Sequence, residues 1–423
     1  MARILAVIPA MNGILHSTLE VARRLRQEGH DALIGCPWDL LGKVESAGFE
    51  YVQLEAIAPD PAPAPEYAPG DGRLRRATRA LRTAPERRRR ALETMERGDL
   101  VEAVAGHRID FLLLHVELHE LALTAAHHDL PFTLLSQWYP FTRRPGVPPI
   151  RYGLIPKPVG PAGRLRLERT WARQRAEIWW IRTRASLRSL GCDRRAALKA
   201  YARKTGFPLR RWAEYSWLQP FSYRDTPVLS MTDAALDFPS DPEPGVRHVG
   251  PMVSADRPEE LDPAEDARLT RLLEERDRTG NPLIYCSVTT FGQGDTGFLG
   301  QVVEVARRRP DRLFALGLGG GLDPETLGPL PPNVCALAWA PQLRLLAHSA
   351  LSINHGGGNT IHECIHFRVP MLIYSGGQHD QHGCSARMAY HGLALLGDRA
   401  HDGPDQIEAR IERVLAEPSY REA

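Results

Sequence analysis

The sequence predicts an α/β protein with two doubly wound, Rossmann-like domains that face each other across a cleft. The chain has 423 residues, and two domains of about 200 residues each are the natural expectation for that length. Short apolar runs alternate with helical patterns in both halves of the chain, which is typical of βαβ units and parallel sheets. Residues 238–263, rich in proline and acidic side chains, separate the halves and predict a linker.

The bulk composition is that of an ordinary globular protein, with 43% hydrophobic and 25% charged residues. No apolar run approaches the roughly 18 residues that a membrane-spanning helix needs. The apolar stretch 4–9 is too short for the core of a signal peptide, so we expect a cytoplasmic protein. Six cysteines are scattered without a CxxC pair, and we expect them to be reduced residues of the core.

The N-terminal half begins with a βαβ unit. Residues 4–8 predict a strand, and a loop that carries Asn12, Gly13 and His16 leads to a helix ending at Gly29. The other predicted elements of this half are strands at 32–36, 111–114 and 131–135, a helix at 121–128, a proline-rich loop at 56–72, and arginine-rich helices at 73–100 and 164–205.

The alternation of strands and helices restarts after the predicted linker. The predicted elements are strands at 283–288, 312–316, 334–339, 350–354 and 370–374, and helices at about 298–309 and 405–416. We therefore expect an N-terminal domain at 1–237 and a C-terminal domain at 264–423. An arrangement in which the last helix packs back on the N-terminal domain stays open. Ligands of such folds bind beyond the carboxyl ends of the strands.

A glycine-rich turn in the C-terminal half has the chemistry of an anion site. A strand ends at Asn354, His355 and three glycines form the turn, and Asn359 and Thr360 open a helix. Glycines let backbone N–H groups approach an anion closely, and the N-terminus of a helix carries partial positive charge. Asn and Thr are natural N-cap residues, and a histidine can donate to a phosphate oxygen. The segment predicts a diphosphate site without a lysine; the alternative is a tight turn before a capped helix.

This segment resembles the donor-binding signature of family 1 glycosyltransferases, the UDP- or TDP-sugar enzymes with the GT-B fold. The resemblance is carried by Trp339, Pro341, Gln342, His355, Gly357, Asn359, Thr360, Glu363, Pro370, Asp380 and Gln381 in that order. It extends upstream to residues 284–290 and to Val249, Gly250 and Pro251, and so covers essentially the whole C-terminal domain, while the helix at 19–30 extends it thinly to the N-terminal domain. The resemblance implies that the domain at 264–423 binds the nucleotide-sugar donor and that the domain at 1–237 binds the acceptor.

The resemblance implies a role for each of these residues. Trp339 would stack on the nucleobase, while Gln342 and Glu363 would hydrogen-bond the ribose hydroxyls. The residues implied for the diphosphate are His355, Gly357, Gly358, Asn359, Thr360 and Thr290, and those implied for the sugar hydroxyls are Asp380 and Gln381. The implied reaction is an inverting displacement at the anomeric carbon, with a general base that removes the acceptor's proton. The helix dipole and His355 would stabilise the leaving diphosphate, so neither a metal nor another cofactor is expected.

The catalytic residues depart from the family pattern. Aligning the helix at 19–30 puts Ile14 where the family usually has its catalytic histidine, and His16 lies two residues on. The relay aspartate expected after the strand at 111–114 is replaced by His115, with Glu117 and His119 close behind. A shifted loop would bring His16 into place as the base, oriented by His115 or Glu117. The alternative is that His16 is a surface histidine near a helix start.

Two smaller departures affect the donor segment. Gly358 stands where plant members often have a tryptophan, and one extra residue lies between Pro370 and Asp380. Sugar recognition is therefore expected to differ from that of the plant enzymes.

A competing motif overlaps the donor segment. His362, Glu363 and His366 match HExxH, which places two histidines one helical turn apart and is typical of zinc proteases. A zinc metallohydrolase with this motif at 362–366 is thus an alternative, although the helix must end before Pro370 and no third ligand follows in the expected pattern. A GT-B sugar-nucleotide epimerase and a non-catalytic homologue are further alternatives.

Charge is distributed unevenly, although the net charge is only +2. Residues 143–211 hold nineteen Lys and Arg against three acidic residues, and include Trp171, Trp179 and Trp180. This region predicts either solvated helix faces or helices that dock on an anionic membrane surface, where the acceptor would be a lipid.

The main expectation is a small, secondary-metabolite-like acceptor, with Trp138 among the candidate pocket residues, and no nucleic-acid partner. The sequence leaves open the sugar, UDP against TDP, the type of glycosidic bond and the oligomeric state.

Overall fold

The computed structural model describes residues 1–9, 11–36, 39–54, 73–156, 160–214, 222–224, 226–259, 261–287, 296–320, 322–377 and 380–423. The predicted loop at 56–72 and the predicted diphosphate residue Thr290 lie outside these ranges. The chain divides into two compact units. Unit 1 comprises Met1–Val147, Pro158–Asp233 and Ser240–Ser254, and unit 2 comprises Pro148–Lys157, Ala234–Pro239 and Ala255–Ala423.

Unit 1 is a parallel α/β domain. Its elements are β1 (Arg3–Val7), α1 (Asn12–Gln27), β2 (Asp31–Cys36), α2 (Leu41–Ser46), β3 (Glu50–Gln53), α3 (Arg73–Glu96), α4 (Asp99–Gly106), β4 (Phe111–His115), α5 (His119–His127), β5 (Phe132–Ser136), α6 (Pro161–Arg188), α7 (Arg194–Thr205), α8 (Leu209–Trp212), β6 (Ala213–Glu214), β7 (Ser222–Tyr223), β8 (Val228–Ser230) and β9 (Val246–His248). Seven strands form one sheet in the order β3-β2-β1-β4-β5-β8-β9, and β6 and β7 form a short hairpin-like pair.

The central strands of unit 1 are apolar on both faces because helices cover both sides of a parallel sheet. In β1, the residues from Ile4 to Val7 are all buried, and β4 lies beside it with Val7 level with Leu114. Ile14 and Leu15 of α1 pack into the same core. The carboxyl ends of β1 and β4 are therefore neighbours at one edge of the sheet.

Unit 2 repeats this architecture. Its elements are α9 (Pro263–Thr279), β10 (Leu283–Ser287), α10 (Thr296–Arg308), β11 (Leu313–Gly317), β12 (Val334–Leu337), α11 (Gln342–His348), β13 (Ser349–Asn354), α12 (Gly358–His366), β14 (Met371–Ile373), α13 (Gln381–Tyr390), β15 (Ala394–Leu396), α14 (Pro404–Ala416) and α15 (Ser419–Glu422). Six parallel strands form its sheet in the order β12-β11-β10-β13-β14-β15. Ile411 of α14 belongs to the core of this unit, and Tyr420 of α15 packs against that core.

The predicted fold class is confirmed, but one local prediction is wrong. The loop expected to carry Asn12, Gly13 and His16 is the first part of α1, which begins at Asn12. The arginine-rich helices predicted over 164–205 are α6 and α7. Helix α6 ends before Ser189, and the Asp193 carboxylate caps α7 by accepting from the Ala196 N–H at 3.0 Å.

The predicted linker at 238–263 contains residues of both units. This segment contains β9, which adds a strand to the sheet of unit 1, and from Ala255 onward it is part of unit 2. Proline and acidic residues suggested a solvated connection, yet the side chains of Arg257 and Glu259 form hydrogen bonds within unit 2, as described below. Residues 148–157 and 234–239 also belong to unit 2, although the prediction placed them before its boundary.

All six cysteines are buried and free of disulfides, as the sequence predicted. Burial raises the pKa of Cys286 and of Cys364 to about 12, so these thiols stay protonated and behave as small core side chains. In the part of the chain that the structure describes, no helix combines the length and the apolar character required to cross a membrane.

Candidate functional site

The glycine-rich turn lies at the carboxyl edge of the sheet of unit 2, between β13 and α12. The Gly356 N–H donates to the Asn354 side-chain oxygen at 2.9 Å, which fixes the start of the turn. Gly356 has φ +82°, and a Cβ there would overlap Ser385 Oγ and lie 3.1 Å from the Gln381 carbonyl oxygen. The turn therefore packs directly on the first turn of α13, and only glycine fits at this position.

The N-terminus of α12 is available for an anion. Gly357 is the N-cap residue and has no side chain that could cap the helix, so the predicted capping role of Asn359 and Thr360 is wrong. Ile361 is the first residue of α12 whose backbone N–H donates to a carbonyl one turn earlier, that of Gly357, at 3.0 Å. The N–H groups of Gly358, Asn359 and Thr360 thus have no acceptor within the helix, which leaves donors and partial positive charge at its end.

His355 lies against this turn. A Cβ on Gly357 would lie 2.6 Å from its Nε2 atom, so the imidazole covers the backbone of Gly357. Burial, assisted by the positive charge of Arg399, lowers the pKa of His355 to about 4, so the ring is neutral near pH 7. Its Nδ1 atom is buried without a hydrogen-bond partner among the described residues. A neutral imidazole here can donate one N–H to a phosphate oxygen without bringing a full charge.

Trp339 presents a flat apolar surface to solvent. Its indole is 51% exposed, although it belongs to a residue type that is usually mostly buried. The other face covers Gly320, where a Cβ would lie 2.5 Å from the ring. The Gly320 N–H donates to the Ala338 carbonyl at 2.8 Å, which holds the two segments together. An aromatic ring supported on one face and open on the other suits stacking against a planar base.

Gln342 and Glu363 are joined in one polar network. The Gln342 side-chain amide donates to one Glu363 carboxylate oxygen, and the Tyr285 hydroxyl donates to Gln342 Oε1 at 3.1 Å. The other Glu363 oxygen accepts from the Arg257 guanidinium. Arg257 also bonds Glu259 at 3.3 Å, and Glu259 accepts from the Leu343 N–H at 2.9 Å at the start of α11.

Arg257 and Glu259 were missed by the sequence analysis because both lie in the predicted linker. Their side chains are 10% and 14% exposed, and that of Glu363 is 7% exposed. The neighbouring carboxylates raise the pKa of Arg257 further, so it is a permanent cation between two anions. No periodicity marks these residues, and the only signal was an arginine within an otherwise acidic, proline-rich stretch.

Asp380 and Gln381 lie at the start of α13, beside the glycine turn. Both are buried, and Asp380 accepts from the Cys384 thiol at 3.2 Å. Residue 150 of the segment Pro148–Lys157 packs on this helix, since a Cβ on Gly383 would overlap the Ile150 carbonyl. Arg387, fully buried, pairs with Asp237 at 2.7 Å. Two short segments distant in sequence thus hold α13 in place.

The three catalytic candidates lie in unit 1. His16 is half-buried on α1, and Glu117 follows the end of β4 by two residues. His115 is completely buried, accepts the Glu117 N–H at Nδ1 at 3.3 Å, and lies edge-on to Trp138. Burial lowers the pKa of His115 to about 3, so it is a neutral hydrogen-bonding group and not a base near pH 7.

A second buried polar cluster adjoins His115 and was not predicted. His119 hydrogen-bonds the Tyr223 hydroxyl, and Glu120 forms an ion pair with Arg194. Arg194 also donates to the Glu117 carbonyl at 2.6 Å. Burial and the nearby Arg194 hold the pKa of His119 well below its usual value. These contacts fix the backbone around Glu117 from α7, which no local pattern in the sequence indicates.

The HExxH motif lies on α12, inside the donor segment. His362 is buried, and both oxygens of Glu363 are engaged by Arg257 and Gln342. Across the described ranges, no three His, Cys, Asp or Glu side chains are grouped so that they could hold a metal ion. The arrangement around Glu363 favours a binding role over that of a zinc-site base.

The proteins that the chain resembles are glycosyltransferases. Over its whole length the chain resembles the glycosyltransferase of kitacinnamycin, with a TM-score of 0.66, 20% identity and 92% of that chain covered. It resembles glycosyltransferase VinC, solved in complex with dTDP, with a TM-score of 0.60, 19% identity, and 99% of this chain and 92% of that chain covered. Residues 322–423 match the family model of the erythromycin biosynthesis protein CIII-like C-terminal domain. The chain has the GT-B fold of the family 1 glycosyltransferases.

The sequence relatives of this chain match it over about a quarter of its length. Demethyllactenocin mycarosyltransferase of Streptomyces fradiae is 38% identical over 98 residues, which are 23% of this chain and 21% of that protein. UDP-glucuronosyltransferase 2B14 of Oryctolagus cuniculus is 37% identical over 107 residues, which are 24% of this chain and 19% of that protein. The chain thus aligns with about a fifth of the length of these two relatives.

Proposed function

We propose that the protein is an inverting glycosyltransferase that moves a sugar from a UDP- or TDP-sugar onto a small molecule of the secondary-metabolite type. The observation that carries this proposal is the composition of the carboxyl edge of unit 2. It combines an open helix N-terminus with His355, an exposed supported indole at Trp339, and the Gln342–Glu363 pair. These groups suit a diphosphate, a nucleobase and a ribose, respectively.

Each donor residue has a defined task in this proposal. The backbone N–H groups of Gly358, Asn359 and Thr360, together with His355, bind the diphosphate. Asp380 and Gln381 accept and donate to sugar hydroxyls at the start of α13. Thr290 is a further diphosphate candidate, from the resemblance alone. The names of the similar proteins support both nucleotides, because a VinC structure holds dTDP and several curated relatives are UDP-dependent by name.

The reaction is a single displacement. An acceptor nucleophile forms a bond to the anomeric carbon while the bond from that carbon to the diphosphate oxygen breaks, and the electron pair leaves on the diphosphate. The donors at α12 stabilise the charge that develops there, which is the role that a divalent cation would otherwise fill. The acceptor's proton passes to His16, which we assign as the general base. Glu117 is the carboxylate assigned to orient His16, because His115 stays neutral.

Donor turnover tests this proposal. The purified protein is incubated with UDP-glucose or with a TDP-deoxysugar and a panel of polyketide aglycones, and products are followed by mass spectrometry. Transfer by the wild type and its loss in His16→Ala, with nucleotide binding retained, are the expected results. Normal transfer by His16→Ala would remove His16 as the base. Conversion of the donor sugar without any acceptor would instead identify an epimerase, and binding without turnover a non-catalytic homologue.

A lipid-borne acceptor is the second candidate function. It is favoured by one observation, the exposed apolar face of α6 described below. Comparing transfer to a water-soluble aglycone with transfer to the same aglycone carrying an acyl chain in vesicles separates the two candidates.

A further inference from the structure

Helix α6 of unit 1 has two apolar faces. Trp171, Gln174 and Ile178 form the buried face, and the Trp171 indole N–H donates to the Val147 carbonyl at 3.0 Å, which fixes the helix on its unit. On the opposite face, Leu165, Trp179, Trp180 and Leu187 are all more than half exposed. Large apolar side chains on a solvent-facing surface are a cost to a monomeric protein unless the surface has a partner.

The exposed apolar residues follow the repeat of the helix. At about 3.6 residues per turn, Leu165, Trp179, Trp180 and Leu187 fall within one stripe. The stripe also contains the exposed Ala172 and Ala176 and one charged residue, the exposed Arg169. The stripe extends over most of the 28 residues of α6. This regularity distinguishes it from scattered exposed hydrophobic residues, which need no explanation.

Arginines border the stripe on both sides. Helical geometry places the exposed Arg164 and Arg175 along one border, and Arg166, Arg173, Arg184 and Arg188, also exposed, along the other. The helix contains eight arginines and two acidic residues. Those two, Glu168 and Glu177, form ion pairs with Arg143 at 2.6 Å and with Arg173 at 2.8 Å. The border is therefore strongly cationic.

We propose that this face of α6 docks the protein on an anionic membrane surface. Tryptophans prefer the boundary between headgroups and acyl chains, and an apolar stripe flanked by basic residues is the pattern of a helix lying in that boundary. The long arginine side chains can bury their methylenes beside the stripe while the guanidinium groups reach lipid phosphates. A second copy of this face is a poor partner because two rows of arginines would oppose each other.

This proposal concerns where the protein binds and not what it transfers. It goes beyond the proposed function, since it can hold whether or not sugar transfer occurs. Far-UV circular dichroism and thermal unfolding serve as an independent check that each variant is folded.

Vesicle co-sedimentation of the full chain tests the proposal. The probes are vesicles of phosphatidylcholine alone and of phosphatidylcholine with phosphatidylglycerol, at low and high salt. We expect binding to the anionic vesicles that falls at high salt. Trp179→Ser with Trp180→Ser should weaken binding roughly tenfold or more because two interfacial anchors are lost. Arg175→Gln with Arg184→Gln should weaken it about fivefold for each charge.

Matched controls lie elsewhere on the surface. Leu81→Ser removes an exposed apolar residue from α3, and Arg278→Gln with Arg413→Gln removes two exposed charges from unit 2. These variants should bind vesicles like the wild type. Equal binding to neutral and anionic vesicles, or equal loss in the controls, would overturn the proposal. If the protein did not bind vesicles but self-associated, and the tryptophan variant did not self-associate, the face would be assigned to a second copy. If the protein did not bind vesicles but bound an acidic protein through this face, the face would be assigned to that class of partner. Either result would overturn the proposal.

Discussion

The substitution Arg257→Met tests the polar network that the sequence analysis missed. Removing the guanidinium leaves the Glu363 and Glu259 carboxylates, 7% and 14% exposed, without their shared cation. Breaking a buried ion pair by removing one partner typically costs about 3–5 kcal/mol. Because these groups are slightly exposed, we expect the free energy of unfolding to fall by about 3 kcal/mol at neutral pH.

Nucleotide binding should weaken in the same variant. Without Arg257, Glu363 and Gln342 lose the contact that fixes their position, and a hydrogen bond to a charged group is worth about 1.5–3 kcal/mol. The dissociation constants of UDP and TDP should therefore rise roughly ten- to a hundredfold. Arg257→Lys keeps the positive charge but loses the planar guanidinium with its paired N–H donors. Its stability and its nucleotide affinity should therefore lie between those of the wild type and Arg257→Met.

Chemical denaturation and isothermal titration calorimetry measure these two effects. Arg344→Met is the matched control, since Arg344 pairs with Asp266 near the same helix, but their side chains are 38% and 49% exposed. An exposed pair of this kind contributes at most about 1 kcal/mol. If Arg257→Met and Arg344→Met changed the free energy of unfolding and the nucleotide affinity equally, the buried Arg257 network would contribute no more than an exposed ion pair.

Three further substitutions test the sites in the two units. Trp339→Ala should raise the dissociation constants of UDP and TDP roughly 5- to 100-fold in calorimetry, because stacking on a base is worth about 1–3 kcal/mol; an unchanged affinity would remove the stacking role. At about pH 5, His355→Gln should abolish part of the proton uptake on TDP binding, measured in buffers of different ionisation enthalpy. The ring is neutral in the free protein because burial holds its pKa at about 4, and it gains a proton when the bound diphosphate raises that pKa; equal proton uptake by the variant and the wild type would contradict this. His115→Gln should lessen acid destabilisation. The folded pKa of about 3 lies below the unfolded value, so stability is lost as pH falls below about 6.5, by about 2 kcal/mol at pH 5. Urea denaturation of the wild type and the variant at neutral pH and at pH 5 measures this effect. If the free energy of unfolding depended on pH equally in both proteins, His115 would titrate normally in the wild type.

The sequence was sufficient for the architecture because local patterns determine it. Strands such as β1 and β13 are continuous apolar runs, and helix patterns between them imply parallel pairing. The glycine-rich turn was also predictable, because three consecutive glycines follow His355 and Gly356 adopts a φ of +82°. In each of these cases the information lies within a few consecutive residues.

The remainder depends on contacts between distant segments. Arg257 bonds Glu363 across 106 positions, and Arg387 bonds Asp237 across 150. Arg194 fixes the backbone of Glu117 from α7. Periodicity carries no information about such pairs, so the predicted linker concealed part of the candidate site. The capping error had a different cause: Gly357 precedes Asn359 and Thr360, and the helix begins earlier than the preferred cap residues suggested.

We propose that unit 2 binds a nucleoside diphosphate at Trp339 and His355. Isothermal titration of UDP and TDP into the wild type, with and without a chelator, tests it most directly when paired with Trp339→Ala and His355→Gln. We predict saturable binding of at least one nucleotide, unchanged by the chelator and weakened in both variants. Absence of binding to either nucleotide, or binding that needs a divalent metal and is insensitive to both substitutions, would contradict the account.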